Sequence, residues 1–168
     1  MPVADRHFAE AENHYEAAER LLQEERHGAA HKQFRLAAEA YGRTHYPNHE
    51  HQAWLRAGLC AATARDLDEG LSCLAEALAI ARQHGLEREL GRALSHLGEL
   101  QARRGAAGEA ATAYHEALFL AERGGEQGML ASVAGNLGLL ELNRGDLPGG
   151  RSTPSCCGSW PSTWAPPS

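Results

Sequence analysis

The chain has a single lysine, Lys32, among 168 residues, few aromatic side chains (6%) and no long apolar run. Each shortage removes a class of function. Without about 18 consecutive apolar residues, no segment reads as a membrane-spanning helix. No glycine-rich loop leads into a lysine followed by serine or threonine, so the phosphate cradle of nucleotide-binding enzymes is missing. The net charge of -6 is spread over mixed signs, and Arg103-Arg104 is the one adjacent Lys/Arg pair, whereas a nucleic-acid groove carries a basic stripe. Cys60, Cys73, Cys156 and Cys157 make neither a disulfide framework nor a zinc spacing. The opening Met1-Pro2-Val3-Ala4-Asp5-Arg6-His7 lacks the parts of a secretion signal. Together with the Ala/Gly/Arg bias, these features predict a cytoplasmic bacterial protein with reduced thiols, no membrane contact and no direct nucleic-acid partner.

What is abundant is alanine and glycine in register. Ala57-Gly58, Leu97-Gly98 and Leu137-Gly138 recur at intervals of 40 residues. Leu94, Leu97 and Gln101 fall on one stripe of a helix that Gly105 interrupts, and Ala110, Tyr114, Ala117, Leu118 and Ala121 mark the face of a second. The triplets Ala30-Phe34-Ala37, Gly70-Leu74-Ala77 and Ala110-Tyr114-Ala117 keep the same interval. A small residue lets two helix backbones approach, and the bulky one fills the hole between them. Glycine inside a helix costs about 1 kcal/mol relative to alanine. Its recurrence at Gly58, Gly98 and Gly138 therefore predicts a close helix contact at each.

These residues resemble the tetratricopeptide repeat, whose first helix carries Trp, Leu-Gly and Tyr and whose second carries Ala, Phe and Ala. Trp54-x2-Ala57-Gly58, and Leu97-Gly98 with Ala110-x3-Tyr114, carry the likeness. The period is about six residues longer than the usual 34. In that respect, and in Asn136-Leu137-Gly138 and Arg144-Gly145-Asp146, the chain is similar to the long repeats of kinesin light chains and bacterial regulatory proteins. The resemblance covers roughly residues 8–147 and implies an all-α, right-handed superhelical stack of antiparallel helix hairpins, about three and a half repeats long.

The pattern predicts helices over about 6–26 and 29–45, 50–64 and 67–84, 87–104 and 107–123, and 127–144, the last without a partner. A repeat domain over 1–147 then gives way to residues 148–168, which hold five of the seven prolines and no helix of useful length. Two readings of that segment compete. It is a natural Pro/Ser-rich disordered tail, or a shift of reading frame near Gly149-Gly150 has replaced a helix-forming string that another frame encodes across Ser155–Trp164. Either way the leucines of the last helix lack an intrachain cover, which predicts self-association through the uncapped C-terminal repeat or a partner there.

Catalytic constellations are absent from the pattern, and the chain is read as no enzyme, with no cofactor and no metal. The densest chemistry is His45, His49 and His51. Pro47 breaks the face that His45 and His49 would share, and His49-Glu50-His51 puts its rings on opposite sides of a helix, unlike the zinc-protease spacing. His27 and His31, flanking a turn, are weaker still. Cys60 and Cys73 read as small buried residues.

The resemblance implies that the first helices line a concave wall and that ligand contacts come from a few of their positions. By register these are Tyr15 and Glu19, with Glu12, Glu16 and Gln23, in the first unit. Leu55 and Leu59, with Gln52, Arg56 and Thr63, follow in the second. The third gives Arg92, Ser95, His96, Glu99 and Arg103, and the fourth Asn136, Leu139 and Asn143 with Ser132. Family members that grip a peptide's terminal carboxylate do so with paired Lys and Asn; Tyr15, Leu55 and Ser95 stand at those positions, so no such clamp is implied. The wall runs from acidic through apolar to basic and amide-bearing. That order predicts a non-catalytic scaffold holding a peptide or helix of a protein partner. Two other readings stay open: the sensory portion of a bacterial transcriptional regulator, and a metal protein or enzyme built on His45, His49 and His51.

Overall fold

The structure is a computed structural model that describes residues 3–145, with side chains from residue 6 onward. Seven helices and no strand make up the described residues: α1 (Val3–Gln23), α2 (His27–Tyr41), α3 (Pro47–Thr63), α4 (Leu67–Gln83), α5 (Glu87–Arg104), α6 (Ala107–Gly124) and α7 (Gln127–Arg144). The domain boundary at 147, the Pro/Ser-rich segment and the frame-shift reading lie outside the described residues.

One device closes most of the helices. The residue after the last turn takes a left-handed conformation, at Glu25, Arg65, Gly105 and Gly145 after the odd helices and at Gly85 and Gly125 after α4 and α6. The following N–H then bonds back five residues, Asp66 to the Ala61 carbonyl and Ala106 to the Gln101 carbonyl, both at 2.9 Å. This is the Schellman closure, for which glycine is the unstrained residue. Glu25 (φ 57°) and Arg65 (φ 70°) adopt it with a Cβ in place, so the glycine signal of Gly105 and Gly145 is blank in the first two units.

That blank explains where the predicted helix ends drift. The first helix stops at Gln23 rather than about 26, and α2 begins at His27, because Glu25 makes the turn. The second stops at Tyr41 rather than about 45, with Thr44 bonding back to the Tyr41 carbonyl through both its N–H (2.8 Å) and its hydroxyl (2.6 Å). Pro47 opens α3 at its first turn, where a missing N–H costs nothing. From α4 onward each end falls within a residue of the reading.

Every helix packs on its chain neighbour, and α3 also touches α5 as α5 touches α7. The odd helices thus line one wall and the even helices the other. Small residues set the spacing. A Cβ on Gly58 would meet the Gly70 carbonyl oxygen at 2.9 Å, and one on Gly70 would meet the Gly58 carbonyl oxygen at 3.0 Å, so α3 and α4 touch backbone to backbone. A Cβ on Gly98 would stand 2.6 Å from the Tyr114 ring, which lies flat in the gap that the glycine leaves. At Gly138 nothing comes within 4 Å among the described residues. The close contact expected of all three holds for two of them. Among the described residues no second helix follows α7 to supply the third. The bulky members of the triplets, Phe34, Leu74 and Tyr114, are buried with their flanking alanines, as ridges filling grooves require.

Candidate functional site

The wall of odd helices holds two separate hollows at its ends. The first, about 360 Å³, lies between α1 and α3 and is lined by Glu12, Tyr15, Glu16, Glu19, Tyr41, His49, Gln52 and Arg56. Three carboxylates face one guanidinium there. Arg56 stands 3.9 Å from Glu19 and lies 5.9 Å from the centroids of both Tyr15 and Phe34, so its charge is shared between an acid and two ring faces. Tyr41 donates its hydroxyl to the Glu12 carboxylate. Burial, then that carboxylate, pushes the Tyr41 phenol well above its ordinary range, and burial likewise raises Tyr15 against the opposing pull of Arg56. Both phenols stay neutral, with the Tyr41 O–H already given to Glu12. The hollow is acidic.

The second, about 380 Å³, opens between α5 and α7 and is lined by Glu99, Ala102, Arg103, Gly105, Ala107, Tyr114, Asn136, Leu139, Leu140, Asn143 and Arg144. Two guanidinium groups and two carboxamides outnumber the single carboxylate. Arg103 is anchored, its Nη2 donating to the Ala62 carbonyl at 3.1 Å near the C-terminus of α3, where a cation is favoured. Leu139 is 61% exposed and gives the hollow an apolar lip. The hydrogen-bonding capacity of Asn136 and Asn143, beside a fixed cation, suits carboxylate and peptide groups.

Of the register-derived residues, Tyr15 and Glu19 meet in the first hollow, and Glu99, Arg103, Asn136, Leu139 and Asn143 meet in the second. Leu59 lines a smaller recess of about 260 Å³ with Leu22, His27, Arg56, Cys60 and Thr63. Leu55 is a correction. It is only 6% exposed and belongs to the apolar cluster that includes Leu78 of α4 and Leu94 of α5, so it is part of the core that the stacked hairpins share. Arg92, Ser95 and His96 line none of these three hollows; His96 Nδ1 sits 3.7 Å from Glu99 instead. Tyr41, His49, Tyr114 and Leu140 are lining residues that the register left out. Tyr114 had a signal, since a ring filling the gap at Gly98 must reach the opposite wall.

The histidine trio does not converge. His45 is exposed, and His49 stacks against Phe8, Tyr41 and Tyr46 at ring separations of 5.4–5.8 Å. His51 is buried (2% exposed), and its Nδ1 donates to the Ala77 carbonyl at 2.8 Å. Its Nε2 is buried without a partner, and burial holds the ring below the usual histidine range. A metal site on these three residues has no geometry behind it. Among the described residues the metal-ligating side chains that do meet are His31, Glu69 and Cys73.

No family model matches the chain, and no curated protein matches it. Solved structures do. The apo form of RapI superposes over 83% of this chain with a TM-score of 0.77 at 11% identity. Aspartyl phosphate phosphatase F from Bacillus subtilis covers 83% with a TM-score of 0.63 at 14% identity. BtubC (BKLC) from P. vanneervenii covers 87% with a TM-score of 0.58 at 22% identity. The chain shares a stacked helical-hairpin fold with these proteins. It spans 51% of the RapI chain and 42% of the phosphatase F chain. No helix among the described residues is long and apolar enough to cross a membrane.

Proposed function

We propose that the chain is a non-catalytic interaction scaffold of the tetratricopeptide type, holding an extended segment or helix of a protein partner along the wall of odd helices. One observation carries the reading: the same wall has an acidic hollow at its α1 end and a hollow rich in guanidinium and carboxamide groups at its α7 end. A ligand lying between them gains from basic residues towards α1 and acidic residues towards α7, and complementary charge fixes its direction more than its affinity. This chain spans 42% of the phosphatase named among the structural neighbours, and the likeness is of fold, so it carries no activity over.

A displayed library of random peptides tests the proposal. The selected sequences should carry Lys or Arg at one end and Asp or Glu at the other, and Glu16→Lys with Glu19→Lys should remove the basic bias alone. Selected sequences with no charge order, or with an order the double variant leaves intact, would overturn it.

A second reading, the sensory portion of a larger regulator, is supported by the partial span of RapI and phosphatase F. A DNA-binding or nucleotide-binding domain encoded in frame beside this chain would favour it. Leu139 and Leu142, 61% and 57% exposed on α7, support self-association as an accompanying property, which light scattering across a concentration series reads directly.

A further inference from the structure

The wall of even helices carries a side-chain cluster that the groove does not use. His31 on α2 and Glu69 and Cys73 on α4 bring one nitrogen, one oxygen and one sulfur within 4.8 Å of one another. His31 Nε2 stands 3.4 Å from Glu69 Oε1, and Cys73 Sγ stands 3.9 Å from the same oxygen. Ligand pairs of a tetrahedral zinc site lie about 3.3–3.6 Å apart. The two edges that meet at Glu69 Oε1 are near that spacing, and the third, within 4.8 Å, closes by a small side-chain shift.

The histidine is set for this task. Its Nδ1 lies 3.0 Å from the Ala57 carbonyl oxygen, which can only accept, so Nδ1 carries a proton, and in the neutral ring Nε2 presents its lone pair to the cluster. A backbone carbonyl on the far nitrogen is the usual orienting partner of a metal-bound imidazole. Glu69 and Cys73 are one helical turn apart, which puts both on one face of α4. Asp66 caps the turn that carries Glu69, accepting from the Glu69 backbone N–H at 3.1 Å. The His31 side chain is 12% exposed and that of Glu69 33%, leaving a path from solvent and room for a water as fourth ligand.

We propose that His31, Glu69 and Cys73 form a binding site for a divalent cation of the zinc class, clipping the first hairpin to the second on the face opposite the groove. Binding replaces two contacts. Arg35 Nη1, now 2.9 Å from Glu69 Oε1, gives up that oxygen and turns to Glu39, 3.7 Å from its Nη2. The Cys73 thiol loses its proton to solvent as the S–H bond breaks and the metal–sulfur bond forms. One proton is therefore released from the thiol for each metal ion bound at neutral pH.

Cobalt(II) titration of the full chain, in a Cys156→Ser, Cys157→Ser background, tests the assignment. One equivalent should give a sulfur-to-cobalt charge-transfer band and tetrahedral ligand-field bands, which zinc chloride then bleaches. Cys73→Ser should abolish the charge-transfer band while Cys60→Ser leaves it. His31→Gln and Glu69→Gln should each weaken binding on the order of tenfold or more. Arg35→Ala should tighten it about two- to fivefold by removing the competitor for Glu69. Circular dichroism on each variant checks that the helices are retained, and His31→Gln carries the test if Cys73→Ser unfolds. No cobalt band, a band that survives Cys73→Ser, an affinity that His31→Gln leaves unchanged, or an affinity that falls with Arg35→Ala would each overturn the site.

Discussion

Gly58 and Gly138 stand at one position of the repeat and live in opposite surroundings. At Gly58 two helix backbones touch, and a single methyl group has no space. At Gly138 the same methyl group would meet nothing within 4 Å among the described residues. The two halves differ in the same way. The N-terminal half is bound by rings, with Phe8 centred 5.7 Å from Tyr41 and 4.9 Å from Tyr46, and Tyr15 centred 5.1 Å from Phe34. In α7 only Val133, Leu137 and Leu140 are buried, and Gly128, Gly135 and Gly138 lie open along it. A repeated residue thus marks a contact that needs the following helix to be made, as expected where each unit leans on its neighbour.

Alanine at each glycine sharpens that contrast. Gly58→Ala carries the largest effect. It should destabilise by about 2–3 kcal/mol, because the obstacle is backbone and two helices must move apart. Gly98→Ala should cost about 1–3 kcal/mol, less where the Tyr114 ring can tilt aside. Gly138→Ala should instead stabilise α7 by about 1 kcal/mol, the helix propensity of alanine acting unopposed. Urea unfolding of the three variants reads the order and the sign. A loss of stability at Gly138 would mean that a helix outside the described residues covers it.

Acid provides a further lever on the closed half. Burial lowers the folded-state affinity of His51 for a proton, so the unfolded chain binds more protons once the pH falls below the ordinary histidine range. Its contribution is fully present above that range and is lost as the pH falls through it towards the folded value. Stability should drop by up to about 1.4 kcal/mol per pH unit in that window. His51→Gln should flatten the slope, and an unchanged slope would assign the effect to other groups.

The stack was legible because spacing and chemistry agreed. Gly105, Gly125 and Gly145 end helices where a left-handed residue is needed, and the alanine triplets mark the buried face of α2, α4 and α6. The first two junctions were harder, since Glu25 makes a glycine-type turn and Pro47 begins a helix rather than interrupting one. Register alone placed Leu55 on the open wall, because it treats each hairpin separately, whereas Leu55 is buried in a cluster that spans successive hairpins. The same limit hid His31, Glu69 and Cys73. They come from different hairpins, and only the stacking of α2 against the α3/α4 pair brings them together.

The direction of the ligand along the wall is the claim on which the functional account rests. A selected peptide carrying a nitroxide at either end, bound to isotope-labelled protein, reports it through paramagnetic broadening of backbone amides. A label at the basic end should broaden Tyr15, Glu19 and Gln52, and a label at the acidic end should broaden Asn136, Leu139 and Asn143. The reverse order, or broadening confined to α2, α4 and α6, would contradict it.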